Sequence, residues 1–139
     1  MSFIYLATPY SKFKNGLEEA NRLASKYAGV LLEAKLPVFS PIAHSHAIAI
    51  HGKLAGKDHS IWMPLDFAFT ESAFALVVCK MQGWEESYGI GLEIEFFQKN
   101  KKPIYYWQPP VLSELLKRDL ERETIKWRKD HPNIKHVPV

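Results

Sequence analysis

The stretch AFALVVC, residues 73–79, is apolar at every position. A strand with one wet face alternates apolar and polar side chains. An unbroken apolar run of strand length instead suits a strand covered on both faces, as in a parallel sheet flanked by helices. FIYLA at 3–7 and PIYYW at 103–107 have the same character, and LPVFS supplies a further short strand at 37–40. Between the runs the period changes. Leu17, Ala20, Ala24, Tyr27 and Leu31 recur at helical spacing, which predicts a helix over 16–34 with Asn15 as its N-cap and Glu18 as the capping-box partner. Further helices are expected over 62–72, over 87–99 with Ile90, Ile94 and Phe97 on one face, and over 111–129. The segment 41–60, rich in histidine and weak in periodicity, reads as a long loop with at most one turn of helix; the tail from His131 reads as irregular or as a short edge. Strands alternating with helices predict one α/β domain. Its parallel sheet has four to five strands and helices on both faces, joined by right-handed crossovers.

In such sheets ligands bind beyond the carboxyl ends of the strands. That rule selects 8–14, 41–60 and 80–89, and polar and glycine residues concentrate there. Composition narrows the classes of function. One cysteine in 139 residues excludes an internal disulfide, and Cys79, at the end of an apolar run, reads as a small buried hydrophobe. A net charge of +3 is mild, and the C-terminal KRDLERE alternates in sign, which argues against a nucleic-acid partner. No apolar run approaches the ~20 residues of a membrane helix. The opening MSFIYLATPYS reads as a strand rather than a signal peptide. A cytoplasmic protein with a small-molecule partner and no membrane partner is the expectation.

The segment GWEESYGIGLEIEFF, 83–97, is the richest in chemistry. Ser87 is placed to cap a helix whose first-turn N–H groups form an anion site, and Gly89 and Gly91 allow a ligand close to the backbone. Glu93, just inside that helix, is expected to be ionised under the helix dipole, which suits a nucleophile or a stabiliser of positive charge; the plainer reading is a surface carboxylate complementing the dipole. Beyond the first strand, Thr8, Tyr10, Ser11 and Lys12 offer hydroxyls and a cation for a sugar or phosphate, without a P-loop or a dinucleotide fingerprint. His44, His46, His51 and His59 raise a metal reading, but an H-x-H pair without a cysteine cluster is thin support. His44 and His46 are better read as pocket or loop hydrogen-bonding residues. No metal and no cofactor are expected. Asp66 reads, on its own, as a solvated or capping carboxylate. Trp62, Trp84 and Phe67 are candidates to stack on a ligand, or core residues.

Taken together, IYLAxPYS from Ile4, VFSPIxHSH at 38–46, WMxxD at 62–66 and GWxxSxGxxxE at 83–93 resemble the nucleoside 2-deoxyribosyltransferase-like superfamily, and within it the branch described as domain of unknown function 1937. The resemblance runs over about 3–107, and SxGxxxE is its most specific element. It implies a flavodoxin-like (Rossmann-like) sheet and cleavage of the bond between base and 2-deoxyribose. It implies Glu93 as the group that attacks the anomeric carbon, Tyr5 as the residue that orients Glu93, and Asp66 as an assistant near base or sugar. Ser87 stands where relatives acting on free nucleosides carry an acid and those acting on deoxynucleoside monophosphates carry a phosphate-binding serine, which tilts the expectation toward a 5′-monophosphate. The chain divides into a core, 1–110, and a C-terminal helix and tail, 111–139, within the same domain. That helix is a possible oligomer contact, since relatives are dimers or larger, and a homo-oligomer is expected. The competing readings are a non-catalytic nucleotide-binding or sensing module on the same fold, and a metal-dependent hydrolase built on the histidine segment.

Overall fold

Side chains on a strand point alternately to opposite faces, and in the computed structural model, which describes residues 2–55 and 57–132, the two faces bury different partners. The elements run β1 (Ile4–Ala7), α1 (Leu17–Glu33), β2 (Val38–Phe39), α2 (Pro41–His51), α3 (His59–Ser72), β3 (Ala75–Cys79), α4 (Tyr88–Lys99), β4 (Ile104–Trp107) and α5 (Glu114–Asp130). The four strands form one parallel sheet in the order β2-β1-β3-β4. This is the flavodoxin-like order. Ile4 and Leu6 of β1 share one face with Ala75, Val77 and Cys79 of β3, and α1 and α5 cover it. Tyr5 and Ala7 share the other face with Leu76 and Val78, and α4 and the end of α3 cover that one. Both central strands are wholly buried, as their unbroken apolar runs require.

Three expectations are corrected. The segment after β2 is not a loop over its first half: it is α2, eleven residues long, started by Ser40, whose Oγ accepts the Ala43 N–H at 3.2 Å, with Pro41 in the first turn. Proline is favoured there because its missing N–H would be unpaired in any case. Asn15 does not cap α1. The N-cap is Gly16, at φ 92, with no side-chain cap, and Glu18 leaves its helix end to bond α2. The helix expected from 62 starts earlier, because Asp58 caps it by accepting the Ser60 N–H at 3.0 Å. The remaining boundaries shift by three residues or fewer, and the tail expectation lies, from residue 133 on, outside the described residues.

Two local features fix α3. Pro64 lies inside it and supplies no N–H to the turn before. Its C-terminal end is held by Lys102, whose Nζ donates to the carbonyls of Thr70 (3.0 Å), Glu71 (2.7 Å) and Ala73 (2.8 Å). Helix α5 packs on the α1 face through fully buried Leu120 and through Leu116, joined by Leu112 just before the helix, and Trp127 stacks on Phe74 at 5.9 Å. Truncating a leucine sealed this way leaves a cavity. Leu120→Ala is therefore expected to cost about 2–5 kcal/mol, read as a lower urea midpoint at an unchanged m-value.

Candidate active site

A cavity lies at the carboxyl end of the sheet, where β1 and β3 are neighbours although their chain connections depart in opposite directions, the position the switch-point rule selects. Thr8, Tyr10 and Ser11 enter it from the segment after β1; Ile42, Ser45, His46 and Ala49 from α2; His59, Met63, Asp66 and Thr70 from α3; and Gly89, Glu93 and Phe96 from α4. Each helical set follows the spacing of one helix face, so three helices each turn one stripe toward a common space. Its volume for the centres of water-sized spheres is about 90 Å³. One water needs about 10–15 Å³ on that measure, so the space suits an organic ligand or several waters.

Glu93 and Asp66 are the carboxyls of the cavity wall. Because β1 alternates, Tyr5 faces the α4 layer, and its hydroxyl donates to Glu93 Oε1 at 3.1 Å. Glu93 Oε2 and Thr8 Oγ1 are sealed from solvent without a hydrogen-bond partner among the described residues. Burial raises the Glu93 pKa from 4.5 to about 8, the nearby Asp66 adds to the rise, and the Tyr5 hydrogen bond opposes it. This corrects the expectation of an ionised carboxylate under the helix dipole. Glu93 is in the second turn of α4, six residues after Ser87, beyond the reach of the dipole, and desolvation dominates. Asp66 is half-buried rather than solvated, and burial raises its pKa to about 6. Tyr5 stays a neutral donor, its pKa pushed well above 10 by burial and by the two carboxylates.

Most of the residues singled out from sequence meet here. Thr8, Tyr10, Ser11, His46, Asp66, Ser87, Gly89 and Glu93 line the cavity, with Tyr5 behind Glu93. Lys12 and His44 do not line it: Lys12 is exposed, and His44 packs against the paired rings of Phe39 (5.5 Å) and Phe69 (5.7 Å). Ser87 caps α4 by accepting the Ile90 N–H at 3.3 Å. Trp62 and Phe67 are on the wall, whereas Trp84 packs against the α4-side core and Tyr106. Cys79 is buried and its pKa is pushed up to about 12, the state of an inert thiol. No group of three or more His, Cys, Asp or Glu comes together as a metal site among the described residues. No helix among them is long and apolar enough to cross a membrane. Sequence reasoning missed Met63, Leu92 and Phe96 on the wall and the bond from Glu18 to His46. The wall residues were available from helical spacing; the bond was not, since it joins two helices distant in sequence.

Residues 2–109 match the family described as Domain of unknown function (DUF1937). No curated protein matches the chain.

The raised Glu93 pKa has a cost in stability. A carboxyl whose pKa is higher folded than unfolded contributes fully below the unfolded value, 4.5, and the contribution is lost as pH climbs to the folded value, about 8. The slope is about 1.4 kcal/mol per pH unit. Glu93→Gln cannot ionise, so its Tm is expected to exceed that of the parent at pH 8 by at least about 5 °C, with the difference shrinking toward pH 5, in thermal melts across pH.

Proposed function

We propose that this chain, which belongs to the DUF1937 family, breaks the N-glycosidic bond of a 2′-deoxynucleoside or its 5′-monophosphate, passing the sugar to water or to a second base. The observation that supports the reading best is the bond from Tyr5 to Glu93 at 3.1 Å, in a cavity that Glu93 shares with a second carboxylate, Asp66. The motif resemblance to the nucleoside 2-deoxyribosyltransferase-like superfamily, which includes Tyr5, Asp66, Ser87 and Glu93, points the same way.

The chemistry follows from the two carboxyls. A base that departs with the bonding electrons leaves oxocarbenium-like charge at the sugar carbon. Ionised Glu93 closes on that carbon, forming a glycosyl ester as the C–N bond breaks. The departing base takes a proton, and in this reading Asp66 gives it. Water or another base then displaces Glu93 and returns the proton. The sequence needs one proton between the two acids. Burial places it on Glu93 in the free cavity, while growing positive charge at the sugar carbon and the Tyr5 hydroxyl favour a charged Glu93 and a protonated Asp66. Trp62, Phe67 and Phe96 supply an aromatic wall for the base. Thr8 Oγ1 and the first turn of α4 at Ser87 and Gly89 supply polar groups for the sugar end. Self-association belongs to this reading, with Leu115 and Ile125 exposed on the outside of α5 as the contact.

A second reading is a nucleotide-binding module without catalysis. Its support is the Glu93 pKa of about 8, since a protonated carboxyl binds as a donor and does not attack.

The test is release of free base from deoxynucleosides and their 5′-monophosphates, modified bases included, followed by chromatography. Glu93→Gln is expected to lower the rate by about 10³-fold or more. Release unaffected by that substitution would remove Glu93 from the chemistry, and binding without release from any substrate would favour the module. The pair of acids is expected to give a bell in kcat/KM. The rate rises as the pair loses its first proton near 6 and falls as it loses its second near 8. Asp66→Asn removes one negative neighbour of Glu93, so ionisation of Glu93 should move to lower pH in the same profile.

A further inference from the structure

Met63 and Phe67 of α3 and Leu92 of α4 are apolar and line the cavity, yet they belong to neither of the two cores. Phe96 joins them from α4, its ring 6.4 Å from that of Phe67. Phe67 is 42% exposed. An aromatic ring left this far in water contributes little to the stability of the chain. A ligand that covers it gains by burial.

These side chains alternate with the carboxyls. From Met63 onward the α3 wall passes Asp66, Phe67 and Thr70, and from Leu92 onward the α4 wall passes Glu93 and Phe96. Thr70 is the one neutral polar side chain on these two stretches. It is buried, and its Oγ1 donates to the Phe67 carbonyl at 2.8 Å, so its single hydrogen is already engaged. The gap between the two helices therefore offers a ligand two carboxyls and hydrocarbon.

Neutral polar side chains reach the cavity from elsewhere. Thr8, Tyr10 and Ser11 follow β1, Ser45 and His46 are on α2, and His59 and Ser87 stand at the starts of α3 and α4. Thr8 Oγ1 in addition has no hydrogen-bond partner among the described residues. A ligand that suits both parts of the wall is amphiphilic. Its hydroxyl-bearing part belongs with the side-chain hydroxyls. The polar edge of a bare base turned toward Met63, Phe67, Leu92 and Phe96 would leave donors and acceptors unpaired, which is costly. A hydrocarbon arm carries no such cost there.

We infer that the gap between α3 and α4 is a subsite for an apolar arm, and that the base taken by this site carries an alkyl or aryl substituent. The inference rests on the nucleoside reading above and narrows it to modified bases.

The experiment is calorimetric titration of the intact chain with two pairs of probes. One pair is 2′-deoxyadenosine and its N6-benzyl derivative; the other is 2′-deoxycytidine and its N4-benzyl derivative. In at least one pair the benzyl form is expected to bind about 10-fold or more tightly, at one site per chain, and to be displaced by its unsubstituted parent. Met63→Gln and Leu92→Gln each place an amide in the gap, on half-buried side chains that are in neither core, so the Tm of both variants should stay close to that of the parent. Each is expected to cut the ratio of benzyl to unsubstituted affinity by about 5-fold or more. A benzyl form that binds no more tightly, equal weakening of both forms in the two variants, or no binding of any probe would each overturn the inference. Base release from the unsubstituted nucleosides without a benzyl advantage would remove the inference and leave the glycosidic reading. A benzyl advantage lost in the variants, without base release from any probe, would leave the inference standing and bring down the glycosidic reading instead.

Discussion

The site depends on a strand residue that is both core and chemistry. Tyr5 is fully buried at the centre of the sheet, packed at 6.2 Å from the Phe97 ring, yet its hydroxyl ends on Glu93. A tyrosine tolerates this position because its ring serves the α4-side core while its single polar atom finds a partner. The alternation of β1 then decides which layer meets Glu93. A one-residue slip of β1 would turn Tyr5 to the α1 side and leave the carboxyl with no donor.

The same geometry makes the site electrostatically expensive. Two carboxyls share one poorly solvated space with no lysine or arginine on its walls among the described residues, so burial opposes ionisation of both and Asp66 adds to it at Glu93. A core built for stability alone would avoid the arrangement; strain of this kind collects at functional sites. The unpartnered oxygens of Thr8 and Glu93 belong to the same pattern, since buried polar atoms are otherwise nearly always satisfied.

What could be read from the amino-acid order divides along physical lines. AFALVVC and FIYLA announced buried parallel strands because burial on both faces leaves an unmistakable apolar run, and the switch-point rule then led to the cavity. Ser87 was legible as a cap from its place before an apolar helical stretch. Helix α2 was not, because PIAHSHAIAIH is apolar or histidine around much of its circumference and shows little periodicity; the Ser40-Pro41 start signal was present but outweighed by the histidines. Asn15 failed as a cap because Gly16, one residue on, takes a positive φ that side chains disfavour and starts the helix itself. The state of Glu93 was out of reach for a different reason. Position in a helix is local, whereas desolvation is set by the layers packed around the carboxyl.

Helix α3 joins two mechanical regimes. Beyond Pro64 its end is clamped by the three carbonyl contacts of Lys102, and Asp66 lies on that clamped side. Before Pro64 the helix has one fewer internal hydrogen bond, and this half presents His59, Trp62 and Met63 to the cavity. Deformation is cheapest where the ladder is broken. A ligand of unusual bulk would thus be accommodated by displacement of the His59–Met63 turn, while the acid keeps its distance from Glu93. The fold in this way separates tolerance for the shape of what binds from the spacing of the two carboxyls.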